Sequence, residues 1–276
     1  MTGRTLLVAA LLENPYELYD LAPHRPIWTL RSRRRARAGR AVLEYYDGYA
    51  PTWRASPDWA AKFGYSESDL ARTNEAAVAH LDGLRKRYGI TDCVISSAIG
   101  PRGDGYVAGT AQTPDEAADY HAVQIAAMGG ADMVTAYTLN YTAEAIGILR
   151  AARAHGRPVA ISFTVETDGR LPGGTPLAQA IQETDDAAAP DYFLVNCAHP
   201  VHIGHSLTPG PWLERIQLDE TEELDEGDPQ DLATRHAALK AHLPKVTVLG
   251  GCCGTDHRHV AAICDAWTNE RTASPA

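Results

Sequence analysis

No apolar run in these 276 residues approaches the ~20 that a membrane span needs, so hydropathy excludes a spanning helix. Cysteine is scarce. There are five, two of them adjacent, which is no disulfide framework and fits a reducing cytoplasm. Basic charge is short as well: 25 Lys and Arg stand against 35 Asp and Glu, a net charge of −10 that argues against general nucleic-acid binding. A convincing leader is also missing. Leu6 to Leu12 looks faintly like a signal peptide, but Glu13-Asn14-Pro15 cuts it short without a cleavage site. What the chain does have is 45% hydrophobic residues, enough for one large core, and ~250 residues is a typical size for a closed α/β barrel.

The cysteines carry the chemistry. Near the C-terminus stands Val248-Leu249-Gly250-Gly251-Cys252-Cys253-Gly254-Thr255, and well upstream stands Val195-Asn196-Cys197. Adjacent cysteines cannot both point into a core, and a disulfide between neighbours is strained. Two thiolates at a glycine-rich turn can instead grip one soft cation, and Cys197 would supply a third. Three thiolates leave one tetrahedral position of Zn²⁺ open, the arrangement of a catalytic rather than a structural zinc. The open position suits a substrate sulfur, because a bound thiol is deprotonated by the ion.

β and α patterns alternate through the last two-thirds of the chain. Strands are predicted at Cys93–Ala98, Met133–Thr138, Val159–Val165, Tyr192–Cys197 and Val246–Gly250. Thr113-Pro114-Asp115-Glu116 carries the signals of a helix start, with Thr at the N-cap, Pro at N1 and Glu at N3. That helix is expected to run to Met128, and others over Ala143–Ala154, Pro176–Asp186, Asp231–His242 and His257–Trp267. Strands separated by such helices imply right-handed crossovers and a parallel sheet. All three cysteines then fall at C-terminal strand ends, where barrel active sites are built.

Asn196-Cys197 together with Gly250-Gly251-Cys252-Cys253-Gly254-Thr255 resembles the zinc signature of the homocysteine S-methyltransferases. That family includes the betaine–homocysteine and S-methylmethionine–homocysteine methyltransferases and the homocysteine module of cobalamin-dependent methionine synthase. The resemblance runs from about Pro51 to Ile263, through Ala98-Ile99-Gly100-Pro101-Arg102-Gly103-Asp104-Gly105-Tyr106 and Ile161-Ser162-Phe163-Thr164-Val165. It implies a (β/α)8 TIM-barrel-like α/β fold, one domain over residues 1–276, with 1–50 atypical for the family. It further implies Zn²⁺ on Cys197, Cys252 and Cys253, and methyl transfer from a donor to the thiol of homocysteine, forming methionine. Asn196 and Thr255 would orient ligands or substrate beside the ion, with Tyr137 and Trp53 also on the substrate side. S-Methylmethionine, S-adenosylmethionine, betaine and a corrinoid carrier all stay open as donor.

The sequence departs from the family in its N-terminal third. The Asp-Gly-Gly-type turn that helps hold the amino acid has no counterpart, and Tyr137 stands where many members carry a glutamate. Weakened homocysteine recognition is the expected consequence. Strands near Thr5–Leu12 and Pro26–Leu30 are weakly marked, none is legible at Tyr49-Ala50, and the seventh is not legible near Ile216–Leu218. Two readings follow: a barrel completed by unrecognised segments, or one incomplete or distorted in its N-terminal third. A non-catalytic zinc-binding remnant is the alternative to an active enzyme.

The remaining features have plain readings beside functional ones. Cys93 and Cys264 lie in apolar patterns and read as core. One of His199, His202 and His205 could be an extra ligand, but they read as pocket rim or solvent-facing, since three cysteines already supply the ligand set. The arginine run from Arg31 to Arg40 and the eight acidic residues of 219–231 read as solvated segments. Gly103-Asp104-Gly105 reads as a tight loop above the barrel mouth. Trp53 and Trp59 are either core or a cation–π surface for a cationic donor.

Overall fold

Short runs rich in Val, Ile, Ala and Phe form strands buried on both faces, as parallel strands flanked by helices must be. The computed structural model describes residues 6–8, 49–50, 52–88, 94–198, 200–220, 228–243, 245–246, 248–251, 255 and 257–269. The strands are β1 (Leu6–Val8), β2 (Tyr49–Ala50), β3 (Ser96–Ile99), β4 (Met133–Leu139), β5 (Val159–Phe163), β6 (Tyr192–Asn196), β7 (Ile216–Glu220) and β8 (Val248–Gly251). Their order is β1-β8-β7-β6-β5-β4-β3-β2, and every ladder is parallel. This is the order of a (β/α)8 barrel, and among the described residues no ladder joins β1 to β2.

The helices are α1 (Pro57–Lys62), α2 (Glu67–Tyr88), α3 (Pro114–Ala127), α4 (Thr142–Ala154), α5 (Leu177–Ala188), α6 (Pro200–Ser206), α7 (Pro229–Leu239) and α8 (His257–Asn269). The expected capping box of α3 is present: Glu116 N–H donates to Thr113 Oγ1 at 3.3 Å, and Thr113 N–H donates to Glu116 Oε2 at 2.8 Å. Asp228 caps α7, accepting from the N–H groups of Gln230 and Asp231. One continuous core joins the strands to the inner faces of α3, α4, α5, α7 and α8, with Phe163 and Phe193 stacked at its centre, ring centroids 6.2 Å apart.

Two strands correct the sequence reading. β7 exists, although its sequence, Ile-Gln-Leu-Asp-Glu, carries too much polarity to read as a buried strand. The reason lies in Gln217: it is buried, and its Oε1 accepts the Val248 N–H at 2.7 Å, so a polar side chain extends the pairing towards β8. β2 also exists, as two residues pairing with Ser96 and Ser97, too short to show any periodicity. Within the weakly marked Thr5–Leu12 segment, Leu6–Val8 pairs with Val248–Gly250. The strand expected at Pro26–Leu30 lies outside the described residues, as do Cys93, His199 and the arginine run.

Helices α3 and α4 approach unusually closely at Gly147. A Cβ there would stand 2.5 Å from the Ala117 Cβ and 2.6 Å from the Pro114 carbonyl oxygen. Gly147→Ala therefore has to push two helices apart despite the better helix propensity of alanine. We expect a loss of about 1–3 kcal/mol, read from the denaturant midpoint at unchanged m-value.

Candidate functional site

Parallel strands present all their C-terminal ends on one face, where barrel sites are built. Asn196 ends β6 and Cys197 follows it; Gly251 ends β8, and the next two residues are Cys252 and Cys253. Cys197 is half-buried and held at φ 53°, in the left-handed region that a non-glycine residue rarely adopts. Cys252 and Cys253 lie outside the described residues. Among the described residues no group of three His, Cys, Asp or Glu side chains converges on one point.

Asn196 is fully buried and hydrogen-bonded on every side. Its Oδ1 accepts from the Thr138 N–H at 2.9 Å and from Ser162 Oγ at 2.6 Å. Its Nδ2 donates to Thr138 Oγ1 and to the Cys197 sulfur, both at 3.1 Å. This arrangement depends on a bulge in β4. Ala136 pairs with Ile161 and Leu139 with Phe163, so Tyr137 and Thr138 together face the single residue Ser162. The bulge leaves Thr138 at φ 61°, a strained conformation for a β-branched residue that costs of order 1–3 kcal/mol. In return its N–H leaves the ladder and points at Asn196.

The other expected site residues are distributed around this network. Thr255 is buried, and its side chain lies over Gly251, where an added Cβ would come within 2.5 Å of Thr255 Oγ1. Tyr137 is buried in the bulge, and its carbonyl accepts from Trp53 Nε1 at 3.4 Å, so Tyr137 and Trp53 do meet. The tryptophan faces are shared with the chain's own cations. The Arg54 guanidinium lies 4.0 Å from the Trp53 ring centroid, and Lys62 Nζ lies 4.3 Å from that of Trp59. Arg54 in turn donates to the Gly103 carbonyl at 2.7 Å, tying α1's approach to the loop after β3. His202 and His205 sit on α6. Cys264 is half-buried on α8, away from the strand ends, and burial pushes its thiol pKa up, with Asp265 adding to the effect.

Glu144 was not singled out from the sequence. It is wholly buried at the start of α4; its Oε1 accepts the Arg102 N–H at 2.7 Å and lies 3.0 Å from His121 Nε2 on α3. A carboxylate in the apolar stripe Ala143–Leu149 was the available signal. A cavity of about 460 Å³ opens beside it, lined among others by Asp58, Arg102, Asp104, Asn140, Tyr141 and Glu144. Burial, reinforced by the Glu144 charge, pushes the Tyr141 hydroxyl up to about 12, so it stays protonated at neutral pH.

Among the described residues, Cys197 fits a thiophilic ion. The Cys197 sulfur sits at a strand end on the catalytic face of a barrel, and a buried amide N–H points at it as it would at a thiolate ligand.

The family profile for homocysteine S-methyltransferase matches residues 49–267. The chain belongs to that family and is a methyltransferase of the (β/α)8 barrel class. Its structure is similar to that of the homocysteine methyltransferase MmuM from Escherichia coli. Against the metallated form the TM-score is 0.74 at 17% identity, covering 95% of this chain and 96% of that one. Against the oxidized form it is 0.74 at 19% identity, covering 98% and 96%. Among curated proteins no relative matches the chain.

Proposed function

We propose that this enzyme transfers a methyl group from an onium donor to the sulfur of homocysteine, forming methionine, at a Zn²⁺ held by Cys197, Cys252 and Cys253. The observation that carries the reading is the Asn196–Cys197 pair: a sulfur fixed at the end of β6 by a left-handed backbone and an amide donor. Zinc, when bound, supplies a Lewis acid that renders a thiol a thiolate at neutral pH. In the reaction the homocysteine sulfur gains the methyl carbon, the S–H proton is released, and the donor keeps the electrons of its broken bond to methyl. A sulfonium or ammonium donor thereby loses its charge, and a water-poor mouth favours that neutralisation.

The chain's own residues hold this geometry. Asn196 has its hydrogen-bonding capacity engaged within the fold, so its role is to hold Cys197 rather than to bind the amino acid. Thr255 packs its side chain against Gly251, the last residue of β8 before the cysteine pair in sequence. Tyr137 brings no charge to the substrate ammonium, consistent with weakened amino acid recognition. The acid-lined cavity on the loop after β3 suits the charge of an onium donor. A site resting on three cysteine thiolates fits a reducing compartment such as the cytoplasm.

Metal analysis and cobalt substitution test the reading. About one zinc per chain is expected, together with a change in the Co²⁺–thiolate absorption on adding homocysteine, and methionine formation with S-methylmethionine, S-adenosylmethionine or betaine as donor. Zinc uptake without any response to homocysteine would identify a metal-binding remnant instead. A protein that retains no zinc would remove the ligand set from consideration.

A further inference from the structure

The buried carboxamide of Asn196 spans three strands. It starts on β6, takes the Ser162 hydroxyl from β5 and reaches the Thr138 backbone and hydroxyl on β4. Its orientation is not a free choice. The Thr138 N–H can only donate, so the atom facing it at 2.9 Å is the carbonyl oxygen. With Oδ1 engaged twice, Nδ2 faces the opposite way and offers two hydrogens. Thr138 Oγ1 accepts at 3.1 Å, and the Cys197 sulfur stands at the same distance from Nδ2.

We infer that Thr138 and Ser162 are positioning residues that lock the Asn196 amide so that its N–H is delivered to the Cys197 sulfur. The inference rests on Cys197 being a metal ligand. A hydrogen bond to a thiolate draws charge from the sulfur, so the sulfur donates less to the ion and the ion remains a stronger Lewis acid towards the substrate thiol. The clamp also explains why β4 tolerates Thr138 at φ 61°. An unbulged strand would spend that N–H on its own ladder and leave Oδ1 with Ser162 alone.

Thr138→Val keeps the branched shape and removes the acceptor; Ser162→Ala removes one of the two donors to Oδ1; Thr138→Ser keeps the hydroxyl. Zinc affinity is measured by chelator competition, the Co²⁺–thiolate charge-transfer band by absorption, and the metal-free melting temperature by circular dichroism. We expect Thr138→Val and Ser162→Ala each to weaken zinc binding by about 10-fold, the lower end of the usual effect of losing an outer hydrogen-bond partner. The cobalt band should move to longer wavelength in both as the sulfur becomes a stronger donor, while Thr138→Ser stays near the parent protein. Should Ser162→Ala fail to fold, the Val and Ser variants at 138 still decide between the outcomes. A parent protein that binds zinc, with affinity and band unchanged in Thr138→Val, overturns the positioning role alone. A parent protein that binds no zinc overturns it together with the metal reading.

Discussion

Cys252→Ser is expected to abolish zinc uptake and methyl transfer together. A neutral hydroxyl is a poor replacement for a thiolate on a thiophilic ion, and a site with three protein ligands has none to spare. The loss should exceed the roughly 10–100-fold that follows removal of an outer hydrogen-bond partner. Cys264→Ser is the matched control. That thiol is half-buried on α8, and burial raises its pKa, so it is a poor thiolate at neutral pH and has no part in the proposed chemistry. Zinc content by atomic absorption and methionine formation by chromatography read both variants. Retained activity in Cys252→Ser would sink the ligand assignment.

The second large effect is on stability. Glu144→Ala should cost roughly 2–5 kcal/mol, because it strips the acceptor from the Arg102 N–H and the partner from the buried His121 Nε2 at once. Against a total stability of about 5–15 kcal/mol this is severe. It also frees the loop after β3 from α3 and α4, so activity should fall more than the folded fraction does. Glu144→Gln keeps an oxygen where Oε1 stands and should recover most of the stability. Urea unfolding of both variants provides the measurement, and a cost below 1 kcal/mol for Glu144→Ala would show that water replaces the carboxylate at little penalty.

Sequence and structure agree where a signal is local. Thr113 and Glu116 cap α3 through side chains three residues apart, so their spacing alone announces the helix. β5 is a run of Val, Ala, Ile, Ser and Phe buried on both faces, and its apolarity is visible without any partner. β7 hid for the opposite reason: Gln217 is polar, and its burial becomes reasonable only once the Val248 N–H is seen to need an acceptor. β2 was illegible because two residues carry no period, and its existence depends on the Ser96–Ser97 edge that receives it.

The site divides in the same way. The sequence by itself determined which residues are candidate ligands, since Asn196-Cys197 and the Gly-Gly-Cys-Cys-Gly-Thr string are contiguous motifs, and it determined the alternation that makes a parallel barrel. Only the tertiary structure decided how Cys197 is held. Thr138, Ser162 and Asn196 lie on three different strands, and the bulge that aims Thr138 at Asn196 is defined by a register against β5. No pattern within one segment records a register between two, nor a left-handed φ at a threonine, because both are imposed by neighbours that the strand meets only after the sheet has formed.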